Sequence, residues 1–289
     1  MLTRADGDER AVIHHVLPRK SVFTRTAVGM KGQLQVVAAN IDVAFLCMSL
    51  NSNFNLSRLE RYLSVAWDSG AKPVVLLTKS DLSERLDEQE AAVERVAAFT
   101  DIVTTSAFDE AACARVLSYI PRGTTASFIG SSGVGKSTLI NRLMGEDVLV
   151  TAAIGHLEKG RHTTTGREML VLPNGGVVID TPGMRELGVE SVDLSKSFAD
   201  IEALERECRF SDCTHTGEPG CAVLAAVAEG MLERRRLDSF LKLKREAKYD
   251  GLTHKQRETT KAEDMFKDVG GMKNVRKYIR QTDKRGARE

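Results

Sequence analysis

From residue 41 the chain alternates between short apolar runs and longer stretches whose apolar residues recur every three or four positions. The runs Val43–Met48, Pro73–Thr78, Ile102–Thr105, Ala126–Ile129, Glu168–Leu172 and Val177–Ile179 predict strands. Most show little polar alternation, as expected when both faces of a sheet are covered. Between them, Leu56–Asp68, Glu84–Phe99, Asp109–Tyr119 and Lys136–Met144 predict helices, with Asn55, Ser83 and Ser106 or Asp109 placed as caps. Strands alternating with helices of that length predict a doubly wound α/β sheet. Pro121-Arg122-Gly123 punctuates the join between its two halves. Residues 1–40 hold only short alternating stretches, such as Ala11-Val12-Ile13 and Gln35-Val36-Val37, with little to make a core of their own. After about residue 191 the strands stop. Residues 194–207 and 222–247 predict helices around a Cys/His-rich turn, and Gly270-Gly271 precedes a basic helix, Met272–Arg280.

Composition narrows the class. The 289 residues, 42% hydrophobic and 28% charged, suit one α/β domain plus a small second one. No apolar run has the length of a membrane span and no signal-peptide pattern opens the chain, so no membrane partner is expected. Five irregularly spaced cysteines do not read as a disulfide framework, and a cytoplasmic location is expected. The net charge of +1 hides an asymmetry: residues 231–289 hold 18 Lys/Arg against 10 Asp/Glu, while the rest of the chain is acidic. A basic tail on an acidic body suggests an anionic partner.

Residues Gly130-Ser131-Ser132-Gly133-Val134-Gly135-Lys136-Ser137 follow a predicted strand, and Ser137-Thr138 opens a predicted helix. That is the context in which G-x-x-x-x-G-K-[ST] becomes a phosphate loop. Its backbone N–H groups and helix N-terminus cradle a β-phosphate. Lys136 is expected to bridge the β- and γ-phosphates, and the Ser137 hydroxyl to bind Mg²⁺. Asp180-Thr181-Pro182-Gly183 ends a later strand, so Asp180 can hold Mg²⁺ through water and the Gly183 N–H can meet a γ-phosphate. In Arg161-His162-Thr163-Thr164-Thr165, Thr164 is the favoured residue to complete the Mg²⁺ shell and sense the γ-phosphate, with Thr165 next.

Thr78-Lys79-Ser80-Asp81 ends another strand. Asp81 can accept two hydrogen bonds from guanine N1 and N2, a donor pair that adenine lacks, so it is expected to set GTP over ATP. Lys79 would lie along the base. Thr105-Ser106-Ala107 could offer a backbone N–H to guanine O6. Met184 occupies the position where Ras-like enzymes use a Gln to orient water, which predicts slow intrinsic hydrolysis. His162 is the nearest residue able to orient that water, ahead of Arg161 and Arg185.

Cys208, Cys213, His215 and Cys221 supply three thiolates and an imidazole within 14 residues, a donor set for tetrahedral, structural Zn²⁺. Cys47 and Cys113 fall in apolar patterns and read as small core residues.

The base-reading tetrapeptide precedes the phosphate loop, whereas an ordinary Ras-like GTPase has the reverse order. That circular permutation, with G-S-S-G-V-G-K-S, G-R-H-T-T-T, D-T-P-G and the Cys/His loop, resembles the ribosome small-subunit-dependent GTPase A family. The resemblance covers essentially the whole chain. It implies a partial OB-fold over 1–35, a permuted G domain over 36–190 and a zinc-binding helical domain with a basic tail over 191–289. Residues 1–30 resemble only the last part of such an OB-fold, and Thr78 stands where the family usually has Asn. The family implies a cytoplasmic, monomeric GTPase that binds GTP/GDP, Mg²⁺ and Zn²⁺. It acts late in maturation of the small (30S) ribosomal subunit, binds that subunit and its rRNA, and uses subunit-stimulated GTP hydrolysis for release. Two alternatives differ in class or target. One is a zinc-stabilised rRNA-binding module whose nucleotide site only regulates docking, which Met184 keeps open; the other is a permuted GTPase of large-subunit assembly, against which the Cys/His loop argues.

Overall fold

The computed structural model describes residues 2–4, 11–26, 34–106, 109–149, 168–180, 193–249 and 259–260. Near the N-terminus β1 (Leu2–Arg4) pairs with β2 (Ala11–Ile13), and β3 (Val22–Thr26) with β4 (Leu34–Ala39), both antiparallel. The centre is a six-stranded sheet made of β5 (Val43–Ser49), β6 (Lys72–Thr78), β7 (Asp101–Thr104), β8 (Thr125–Ile129), β9 (Glu168–Val171) and β10 (Val177–Asp180). Its order is β7-β6-β5-β8-β10-β9, parallel except for the edge strand β9.

The unbroken apolar runs of β5 and β6 are explained by two cores. Val43, Phe45 and Cys47 of β5, with Val74 and Leu76 of β6, face one core; Ala44, Leu46, Met48, Val75 and Leu77 face the other. A period of two thus separates the faces, and both are dry. Helices α3 (Glu110–Ser118) and α4 (Lys136–Met144) cover the first face. The second is covered by α1 (Leu56–Ser69) and α2 (Leu86–Val96). That second core continues without a break into α5 (Ala199–Glu205), α6 (Ala222–Ala228) and α7 (Arg234–Tyr249) through Phe198, Ile201, Val223, Leu237 and Phe240.

Local signals set most helix ends. Asn55 caps α1 by accepting from the Arg58 N–H, and Gly70 closes it at φ +84°. Asp109, not Ser106, caps α3, accepting from the Ala112 N–H at 2.9 Å. Three expectations need correction. The helix predicted over Glu84–Phe99 spans only Leu86–Val96, and Ser83 does not cap it: its hydroxyl donates to Gln89 and accepts from the Arg85 N–H. The helix predicted over 222–247 is two helices, because the chain turns at Gly230 with φ +76°. The N-terminal strands also share in a core: Phe23 and Val37 are buried and pack with the α1 layer.

A nucleotide site and a candidate metal centre

The C-terminal ends of β6, β5, β8 and β10 lie side by side, since Thr78 registers with Ser49, Leu46 with Ile129 and Ile179 with Ser127. In open α/β sheets this edge, where chain order reverses, is where ligands bind. The residues predicted to hold the nucleotide converge there. Gly130 follows β8, and a Cβ at that position would stand 2.6 Å from the Cys47 carbonyl oxygen, so the loop lies directly against β5. Ser131, Ser132, Gly133 and Val134 carry the turn, and Gly135, at φ +95°, starts α4 with Lys136, Ser137 and Thr138. Lys136 is buried, its Nζ donating to the carbonyls of Gly130 at 2.6 Å and Ser131 at 2.8 Å. These bonds fold the ammonium back across the mouth of its own loop. Beneath it, burial pushes the Cys47 thiol up to about 12, with Lys136 partly opposing, so this cysteine is an inert core group.

Thr78 ends β6 almost fully buried, and its hydroxyl donates to the Val134 carbonyl at 2.6 Å. Thr78 therefore ties the segment predicted to read the base to the phosphate loop. Lys79 follows in the left-handed region, φ 58°, a conformation uncommon for a long side chain. It leads into a 3₁₀ turn, Ser80–Leu82, that carries Asp81 into solvent. The Ser80 N–H donates to the Thr105 carbonyl, which places Ser106 beside this turn. Asp180, the last residue of β10, follows Ile179, which registers with Ser127 of β8, the strand that leads into the phosphate loop. Ala107, His162, Thr164 and Gly183 lie outside the described residues, as do Arg161, Thr165, Met184 and Arg185.

The four expected metal ligands form a second cluster. The donor atoms of Cys208, Cys213, His215 and Cys221 all lie within 4.8 Å of one another. A tetrahedral Zn²⁺ requires S–S and S–N edges of about 3.8 and 3.6 Å. Cys208 Sγ is 3.9 Å from Cys221 Sγ, and His215 Nδ1 is 3.8 Å from Cys208 Sγ and 3.4 Å from Cys221 Sγ. The donor set fits that ion in distance as well as chemistry. The protonation pattern agrees: burial and the neighbouring sulfurs push the Cys213 thiol up to about 12. Burial also acts against the Cys208 thiolate, but N–H donors at the start of α6 outweigh it and lower that thiol. Crowded sulfurs that resist shared ionisation are what a dication relieves.

Four contributing residues escape sequence reasoning. Glu205 accepts from His215 Nε2 at 2.7 Å and from Lys244 Nζ at 2.8 Å, fixing the tautomer that leaves Nδ1 facing the sulfurs. Glu218 accepts N–H bonds from Thr214, Thr216 and Gly217 and closes the loop. Asn53 and Arg58, at the start of α1, reach the hydroxyl of Ser131. None belongs to a motif.

A family model for the RsgA GTPase matches residues 16–190, which span the candidate base reader Thr78–Asp81, the phosphate-loop motif and β10. The chain belongs to the RsgA GTPase family. It is 49% identical over 273 residues to the small ribosomal subunit biogenesis GTPase RsgA 2 of Lactiplantibacillus plantarum, covering 94% of this chain and 77% of that one. It is also 49% identical over 241 residues to the small ribosomal subunit biogenesis GTPase RsgA of Opitutus terrae, covering 82% of this chain and 66% of that protein. Among solved structures it resembles YjeQ from Thermotoga maritima, with a TM-score of 0.60 and 27% identity over 82% of this chain and 78% of that one. It also resembles YloQ, described as a circularly permuted GTPase, at TM-score 0.58 and 26% identity over 85% and 78% of the two chains. The permuted motif order of this RsgA-family chain is thus that of a known architecture. Among the described residues no helix is long and apolar enough to cross a membrane.

Proposed function

We propose that this chain hydrolyses GTP during late maturation of the small ribosomal subunit, binding that subunit and its rRNA as a cytoplasmic monomer. One observation carries the reading: the Thr78–Val134 bond joins a guanine-type base reader to a lysine-clamped phosphate loop at one sheet edge. The chain in which this occurs is 49% identical to proteins named as small ribosomal subunit biogenesis GTPases.

In this reading Asp81 accepts from guanine N1 and N2, Lys79 lies along the base, and the backbone at Ser106 and Ala107 faces guanine O6. Backbone N–H groups from Ser131 to Thr138 surround the β-phosphate, and Lys136 neutralises charge building between the β- and γ-phosphates. The Ser137 hydroxyl, Asp180 through water, and Thr164 would hold Mg²⁺, which supplies charge neutralisation for the phosphates. Gly183 meets the γ-phosphate by its N–H, and His162 orients the attacking water in place of the missing Gln. Cys208, Cys213, His215 and Cys221 would hold a Zn²⁺ whose contribution is structural. The basic C-terminal segment faces rRNA.

GTP hydrolysis with and without purified small subunits tests this, with ATP and large subunits as controls. Stimulation by small subunits alone, and only with GTP, is expected. Equal turnover of ATP would remove the role of Asp81. GTP binding without stimulation would remove the small subunit as activator.

A further inference from the structure

The phosphate loop is held from outside its own motif. The Arg58 guanidinium donates through Nη1 to Ser131 Oγ at 3.1 Å and to Asn53 Oδ1 at 2.8 Å. Asn53 Nδ2 donates to the same Ser131 oxygen at 3.0 Å. Meanwhile the Ser131 carbonyl accepts from Lys136. Ser131 is therefore clamped at both ends, its hydroxyl by α1 and the segment before it, its carbonyl by the lysine that meets phosphate. The base of the clamp is rigid too, because the Arg58 N–H is the one that Asn55 caps. Glycine-rich loops have many backbone states of similar energy. Their N–H groups bind phosphate well only when aimed before the ligand arrives.

We propose that Arg58 is a positioning residue for GTP, acting through Ser131 to hold the phosphate loop in its receptive shape. The proposal rests on the reading of this loop as a GTP site. It assigns Arg58 no contact with substrate. Its effect should fall equally on the bound substrate and on the transition state, because both use the same loop N–H groups.

Steady-state GTP hydrolysis and binding of a fluorescent GTP analogue would be measured on the full chain, for wild type, R58A, S131A and the double variant. R58A is expected to raise KM and Kd roughly tenfold, the equivalent of one lost hydrogen bond to a charged donor. Its kcat should stay within about twofold, the signature of lost uniform binding. S131A should show the same split, and the double variant should be no worse than the poorer single one, since both remove one contact. A fall in kcat at unchanged KM would overturn the proposal, because it would mean either direct participation in the chemistry or loss of folded protein. Additive effects, or R58A indistinguishable from wild type, would overturn it as well. Wild type that fails to bind GTP would instead refute the function itself.

Discussion

Glu60 is fully buried on α1, yet it carries a carboxylate, so its removal is a sharp test of how the helical region is held. Its Oε1 accepts from Arg236 Nη1 at 3.0 Å and from Arg235 Nη2 at 3.3 Å, and its Oε2 accepts from Arg235 Nη1 at 3.1 Å. Removing one partner of a buried ion pair costs about 3–5 kcal/mol, because the other charge stays behind in a poor dielectric. Here both arginines keep partners. Arg236 retains two bonds to Asp200 at 2.6 Å, one to the Ser197 carbonyl and the ring of Phe198, 4.8 Å away. Burial opposes its charge, but Asp200 and Glu60 outweigh that and raise its proton affinity. Arg235 is 34% exposed and can turn towards water and Glu233. Glu60→Ala should therefore fall at the lower end, about 3 kcal/mol. At roughly 2–4 °C per kcal/mol for a large domain, the midpoint should drop by about 6–12 °C. Urea and thermal unfolding at fixed protein and zinc concentrations would measure it, with Glu60→Gln intermediate because it keeps the volume and one acceptor. A loss below about 1 kcal/mol, as for an exposed pair, would refute the reasoning.

Thr78→Val keeps shape but leaves the Val134 carbonyl without its donor. GTP affinity should fall about tenfold while the preference for guanine over adenine persists, as read by competition binding. Asp81→Ala should abolish that preference instead, leaving ATP binding unchanged. Glu205→Ala removes the acceptor that orients His215, and competition with a chromophoric chelator should show zinc affinity reduced about 10–100-fold; unchanged affinity would exclude Glu205 as a positioning group. His162→Ala should abolish subunit-stimulated hydrolysis while sparing GTP binding, and retained turnover would exclude it.

The sheet was legible because β5 and β6 are apolar on both faces, and the caps Asn55 and Asp109 because each bonds an N–H three residues ahead. Ser83 misled because it lies ahead of the Arg85 cap position, and its hydroxyl donates to the Gln89 side chain instead of accepting from an N–H of the first helical turn. The break between α6 and α7 was hidden because apolar spacing runs across it, although Gly230 marks it. The zinc ligands sit within one short loop and could be read together. Arg58 and Glu60 could not, since Ser131 lies 73 residues away and Arg236 lies 176 away. On a sequence both look like the polar stripe of an amphipathic helix. What makes them structural is contact that only the folded chain creates.

The uninterrupted core from the sheet through α1 to Phe198, Leu237 and Phe240 has a consequence for the order in which the protein is made. All six sheet strands and the phosphate loop are synthesised before the helices that finish that core. Until α7 has emerged, the core that α1 shares with it is incomplete and Glu60 lacks Arg235 and Arg236. A nascent chain therefore carries every nucleotide-binding motif well before it has a finished scaffold to hold them. Competence for GTP should arrive late and all at once, with α7 rather than with the last motif.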